Sequence, residues 1–225
     1  MARDIPGEEA WIKYLWLTIY GAVLIWSGID PKDLFTWFLE VLPALIGVVV
    51  LAITYRSFRL TPLVYVLILI HCIILMVGGH YTYAQVPLFE HLKSFLGTTR
   101  NDYDKLGHFA QGFVPAMIVR EVVLRKHIIR GAAWQATFIV CFCLALSALY
   151  EMFEWLVAVA SGASAEAFLG TQGYVWDTQS DMAMALVGAI AALLVLSRWH
   201  DRQLARIGQA APKATIGSDR TDRTS

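Results

Sequence analysis

The chain has 225 residues, of which 57% are hydrophobic and 16% charged, and 18 basic residues balance 18 acidic ones. A soluble domain of this length needs more polar surface than that composition supplies. Zero net charge removes any global electrostatic case for nucleic acid as a partner. Mean hydropathy is +0.55, and the apolar residues fall in blocks near the roughly 20 residues with which a helix crosses hydrocarbon. The expected fold class is all-α, a polytopic integral membrane protein of about six transmembrane helices whose surroundings are the lipid bilayer.

The first block runs from about Trp11 to Gly28. Asp4, Glu8 and Glu9 precede it, so it lacks the basic start of a secretory signal and reads as a retained helix. A second helix is expected over 35–55, closed by Arg56 and Arg59. A third covers 60–80, with Pro62 tolerated in its first turn. In the connector from Tyr81 to Tyr103, Leu88, Leu92 and Phe95 recur at helical spacing beside Glu90, His91 and Lys93. That pattern fits a short helix in the membrane interface or an ordered loop. A fourth span, 104–124, is the most polar, with His108, Gln111, Arg120 and Glu121 inside it. The fifth, 132–160, is long enough that it must tilt or protrude. A loop rich in small residues leads through Phe168-Leu-Gly-Thr-Gln-Gly-Tyr-Val-Trp-Asp177 to a sixth span over 178–199. Residues 1–200 thus form one transmembrane domain, and 201–225 a cytoplasmic tail that is partly disordered. Cys72, Cys141 and Cys143 lie in apolar runs and act as small hydrophobes.

Orientation follows from Lys and Arg. With the N-terminus inside, 14 of the 18 fall on the cytoplasmic side, and only Lys32, Lys93, Arg100 and Lys105 fall outside. Both termini are therefore expected in the cytoplasm. If the fourth segment did not span, the basic residues after Trp199 would lie outside, against the rule.

This topology brings the polar residues of several helices to one depth near the outer face. Asp104 and His108 are i,i+4, followed on the same face by Gln111 and Pro115. Glu151 and Glu154 are i,i+3, and Asp177 and Asp181 are i,i+4 if the last helix starts early enough. Carboxylates and imidazole so presented can hold a divalent metal or divide acid and base roles. Simpler duties exist for several of them. Asp104 could cap the fourth helix, Thr178-Gln-Ser-Asp181 could form a capping box, and Lys105 could snorkel. His71 and His80 read as packed or interfacial. Glu151 and Glu154 have no such local duty. They lie inside an apolar run, where a central charge costs about 2.5–3.5 kcal/mol, and must find partners on other helices.

The expected metal set is Asp104, His108, Glu151, Glu154, Asp177 and Asp181, with Glu151, Glu154 and His108 as the catalytic groups. Gln111, Thr171, Gln172 and Trp176 are the expected substrate contacts, in part through the 170–177 loop folding over the pocket.

Four stretches carry a resemblance: Met76-Val-Gly-Gly-His-Tyr-Thr-Tyr-Ala, Tyr103-Asp-Lys-Leu-Gly-His-Phe-Ala-Gln-Gly-Phe, Ser147-Ala-Leu-Tyr-Glu-Met-Phe-Glu-Trp, and Phe168-Leu-Gly-Thr-Gln-Gly with Trp176-Asp-Thr-Gln-Ser-Asp181. They resemble the YjdF-type bacterial inner-membrane proteins, which implies an inner-membrane location. Tyr174 stands where that pattern often has Asp, so the position is not an essential ligand. A histidine, an acid on the next helix and a later Asp-x-x-x-Asp also resemble VanZ-like membrane proteins. Neither family supplies a reaction that transfers residue by residue. The expected function is a metal-assisted or acid–base hydrolase or transferase acting on a lipid or envelope precursor. A proton- or cation-coupled transporter and a non-catalytic scaffold are the alternatives. Transport would need a polar path to both faces, and the inner halves of the last two spans, 132–145 and 184–196, are nearly free of ionisable groups.

Overall fold

A computed structural model describes residues 6–97, 99–161 and 172–210, and every regular element among them is helical. These are α1 (Pro6–Gly28), α2 (Leu34–Thr54), α3 (Pro62–His80), α4 (Pro87–Leu96), α5 (Tyr103–Arg125), α6 (Ala132–Ser161) and α7 (Asp177–Ala210). Four are long and apolar enough to cross a membrane: α2, α3, α6 and α7 through Ile207, with hydropathies of 2.3, 2.4, 1.9 and 2.0. α1 and α5 have 23 residues each. They are long enough to span, but their polar residues keep them outside that apolar class.

Local chemistry sets most boundaries. Asp33 Oδ1 accepts the Thr36 N–H at 2.7 Å to open α2, and Pro62 opens α3. The connector is a helix and not a loop. Pro87 begins α4, and Gly97 ends it at φ 68°, where a Cβ would be strained. The expected apolar stripe is left bare, with Phe95 86% exposed beside Leu88 and Leu92, as an interfacial helix requires. Two expectations are corrected. The last helix does not stop at 199 but continues to Ala210, so the first ten residues assigned to the tail are helical. It also begins at Asp177, which puts Thr178 and Asp181 inside the first turns and not in a capping box. The disorder expected of the last residues lies outside the described ones.

α5 is the hub, packed against α3, α6 and α7. α5 and α7 run parallel, and their backbones touch. A Cβ on Gly112 would overlap the Ala185 carbonyl, and one on Gly188 the Phe109 carbonyl. Ala116 on α5 and Ala185, Ala189 and Ala192 on α7 are all buried in this seam. Small residues substitute here for the hydrophobic force that lipid cannot provide between helices. On α5 the stack Asp104–His108–Gly112 is one i,i+4 row, and on α7 Asp181 precedes Ala185 by the same step. Close backbone approach at Gly112 therefore brings Asp181 to Asp104 and His108.

The far end of this seam is tied by a second polar group. Glu121 and His200 are each 0% exposed. The Glu121 carboxylate accepts from Thr61 N–H (3.0 Å) and Oγ1–H (2.8 Å), from Arg125 (2.8 Å) and from His200 Nε2 (3.1 Å). Arg120 donates to His200 Nδ1 at 3.0 Å, which leaves the hydrogen on Nε2. Every lone pair is used, so this knot locks α3, α5 and α7 together. From Asp104 to Glu121 a helix rises about 25 Å at 1.5 Å per residue, close to the thickness of the hydrocarbon.

Candidate functional site

The end of the bundle where α5 and α7 begin holds the expected polar residues and several others. His108 is buried. Its Nδ1 lies 3.1 Å from Gln111 Oε1, a contact that needs the ring hydrogen on Nδ1. Nε2 then faces Asp104 Oδ1 at 3.5 Å and Glu151 Oε1 at 3.7 Å. Those separations are too long for good hydrogen bonds. A lone pair aimed at two carboxylates is repulsive unless a positive charge, a proton or a cation, stands among them. Asp104, His108 and Asp181 offer ligand atoms all within 4.8 Å of one another. Atoms bound to a cation at about 2.0–2.6 Å lie up to 4–5 Å apart, so this triad has the spread of a coordination shell. Two buried acceptors beside it, Glu151 Oε1 and Asp181 Oδ1, make no hydrogen bond among the described residues. Buried polar atoms are rarely left so.

The other expected residues divide. Asp104 does not cap α5. The N-cap is Asp102, and Asp104 instead bonds Arg100 at 3.0 Å. Asp177 is paired with Arg100 as well, so it is a counter-ion before it is a ligand. Burial works against the Arg100 charge, but the bonds from Asp177 and the nearby Asp104 outweigh it and hold the guanidinium more firmly protonated than usual. Glu154 is buried and faces a cavity of about 140 Å³ that it shares with Asp104, His108, Gln111, Glu40, His71, Tyr83 and Tyr150. His108, Glu151 and Glu154 thus approach one another across α5 and α6, as their common depth implies.

Of the expected substrate contacts, Gln111 orients His108. Gln172 does not point to the cavity but clamps the α4–α5 connector, its amide meeting Asn101 N at 3.0 Å and Asn101 O at 2.9 Å. Trp176 is 63% exposed and lines neither this cavity nor the recess beside it. Thr171 and the loop before it lie outside the described residues. The described end of that loop contributes no lining residue to this cavity; its Tyr174 ring lies under Arg100 and Lys105 beside it.

Sequence reasoning missed Glu40 and Tyr83. Glu40 is buried on α2 and accepts from Tyr150 Oη at 3.1 Å. An isolated acid as the one charged residue of the 34–54 helix was the signal, because such a charge demands a partner. Tyr83 had no signal of its own. Its ring fills the space left by Gly78 and Gly107, which accounts for the first of the paired glycines before His80, while Gly79 makes room for Glu40 and Val41 of α2. It does so at φ 53°, an uncommon backbone for a bulky residue. Lys105 pairs with Asp102 at the rim (3.0 Å). Inside that rim, six carboxyl groups share this end with the Arg100 guanidinium and the His71 and His108 imidazoles, so acids outnumber bases two to one.

Exposed apolar helix faces around a buried polar end define a multi-pass α-helical membrane protein. The chain belongs to the family described as Predicted membrane protein (DUF2238), whose model matches residues 12–202. It is 52% identical over 186 residues to Inner membrane protein YjdF of Escherichia coli (strain K12), covering 83% of this chain and 89% of that one. Its location is accordingly the bacterial inner membrane. No solved structure matches.

Proposed function

We propose that this protein is a metal-dependent hydrolase or transferase of the inner membrane, working on a lipid or envelope precursor at the outer leaflet. The bundle has six spans, α1, α2, α3, α5, α6 and α7, with both termini inside, the orientation favoured by Lys and Arg placement. The observation that carries the reading is His108 Nε2 facing Asp104 and Glu151, with Glu151 Oε1 itself and Asp181 Oδ1 left without a hydrogen bond among the described residues. Asp104, His108 and Asp181 would hold the ion, with Glu151 completing the set. Mixed carboxylate and imidazole donors suit Zn2+ or Mn2+ better than Ca2+ or Mg2+. Such an ion supplies Lewis-acid charge at a reacting oxygen. Gln111 keeps the His108 lone pair on Nε2. Glu154 and Glu40, on the cavity wall, are placed to take and return a proton, with Tyr150 Oη oriented by Glu40.

Transport is less well supported. Below the cavity the bundle is filled by buried Met117 of α5 and Ile139 and Cys143 of α6 and closed by the saturated Glu121–His200 knot, so no polar path is offered among the described residues.

The test is metal analysis of protein purified in detergent without chelators, with Zn2+ and Mn2+ titrated into the stripped form. Bound metal near one equivalent, lost in Asp181→Asn and His108→Ala variants that still elute as folded protein, is the expected result. Wild-type protein that neither carries nor takes up metal would overturn it, because His108 would then be an imidazolium serving as glue.

A further inference from the structure

A second recess of about 320 Å³ opens beside this site, lined by the 99–105 segment and by 172–174. Its charged lining is Arg100 and Lys105 with Asp102, which pairs with Lys105 at 3.0 Å, so basic groups outnumber acids in its walls where acids outnumber bases in the neighbouring cavity. Arg100 is the wall between them, bonded to Asp104 and Asp177 on the acidic side. Both cationic heads lie over one ring, with Arg100 at 5.6 Å and Lys105 at 5.5 Å from the centre of Tyr174. The walls are held rigidly. Gln172 grips both backbone groups of Asn101, and Asn101, fully buried, is bonded through Nδ2 to Val86 O at 3.1 Å and Glu90 Oε1 at 2.9 Å. A fixed pair of cations with hydroxyl and amide neighbours is preorganised for an oxyanion.

We propose that this recess binds the phosphate group of the substrate, so that the protein acts on a phosphate ester. The inference rests on the metal reading of the adjoining site and names its substrate class. A guanidinium fork and an ammonium answer the three acceptor oxygens of a phosphate better than the two of a carboxylate. Arg100 then links the two halves of the site. A cation drawing Asp104 toward itself loosens the carboxylate's hold on Arg100 and turns the guanidinium toward the recess. A substrate anchored there by its phosphate extends its reacting bond toward Asp104 and His108.

The experiment uses the full chain in detergent, with binding measured calorimetrically for glycerol 3-phosphate, dihexanoyl phosphatidic acid and dihexanoylglycerol. The two phosphate probes should bind, and the phosphate-free lipid should not. Tighter binding of phosphatidic acid identifies a lipid headgroup, and equal binding a soluble phosphate ester. Lys105→Gln, at a side chain 31% exposed and outside the buried cluster, should weaken both by about three- to tenfold, with metal content unchanged. Dihexanoylglycerol binding as well as phosphatidic acid, or Lys105→Gln binding like wild type, overturns the proposal. Metal content is read on the same samples. Phosphate binding without metal would leave the recess standing and remove the metal centre, whereas metal without phosphate binding would do the reverse.

Discussion

Gly112→Ala is the sharpest test of how the fold builds the site. In an ordinary helix interior the change stabilises by about 1 kcal/mol, because alanine has far the better helix propensity. Here the added Cβ would sit on the Ala185 carbonyl. A carbon and a carbonyl oxygen meet no closer than about 3.3 Å, so α5 and α7 must part by about 1 Å or more. Overpacking of this kind costs about 1–3 kcal/mol, and the close backbone contact of the seam puts this position at the upper end. Net destabilisation should be about 1–2 kcal/mol. Asp181, one turn before Ala185, would be carried away from Asp104 and His108, and metal affinity should fall in parallel. Gly47→Ala is the control, since its Cβ would meet nothing within 4 Å. It should be neutral or stabilising. Intrinsic tryptophan fluorescence follows unfolding in detergent, and metal titration follows the site. A Gly112→Ala protein as stable as Gly47→Ala, with metal binding intact, would refute the argument.

Glu121→Ala should cost about 3–5 kcal/mol, because it strands buried Thr61 and His200 donors and the Arg125 charge; a melting temperature within a degree of wild type would contradict this. Glu151→Gln and Glu154→Gln should leave the protein folded, at wild-type stability or above, since neutral amides are cheaper to bury, yet fail to complement a deletion strain; stability falling together with function would point to structural glue. Cysteines placed at Val175 and Arg206 in a cysteine-free background should label from opposite sides with an impermeant maleimide, and labelling of Arg206→Cys from outside would invert the topology. Glu90 is held below its ordinary pKa of 4.5 by its bonds to Lys93 and then Asn101. A depressed folded-state pKa means that the contact is kept above the ordinary value and lost as pH falls through the folded one. Carbon-13 NMR of labelled glutamate should therefore find this carboxyl titrating below 4.5, and an ordinary titration would show the α4 contact absent in solution.

The amino-acid sequence by itself determined the class, the existence of the six long helices and the end of each helix at which the polar residues gather. Those depend on local quantities: apolar run length, the backbone's need to satisfy its own hydrogen bonds in lipid, and the high cost of a lone acid there. It also pointed to Glu151 and Glu154, because nothing on their own helix could compensate them. Only the tertiary structure decided which acids face one another. Asp181 joins Asp104 and His108 because Gly112 and Gly188 let two backbones touch, a contact set by pairing across chain positions that no local pattern encodes. Glu40 enters the site for the same reason, since its partner Tyr150 lies four helices away in the chain. Asp177, by spacing a ligand candidate, is claimed by Arg100, and Trp176 is left exposed just ahead of α7, which starts two residues earlier than its capping pattern suggests. Position along a helix is a local property and was legible; position around the bundle depends on which helices pack together, and that is decided only when they meet.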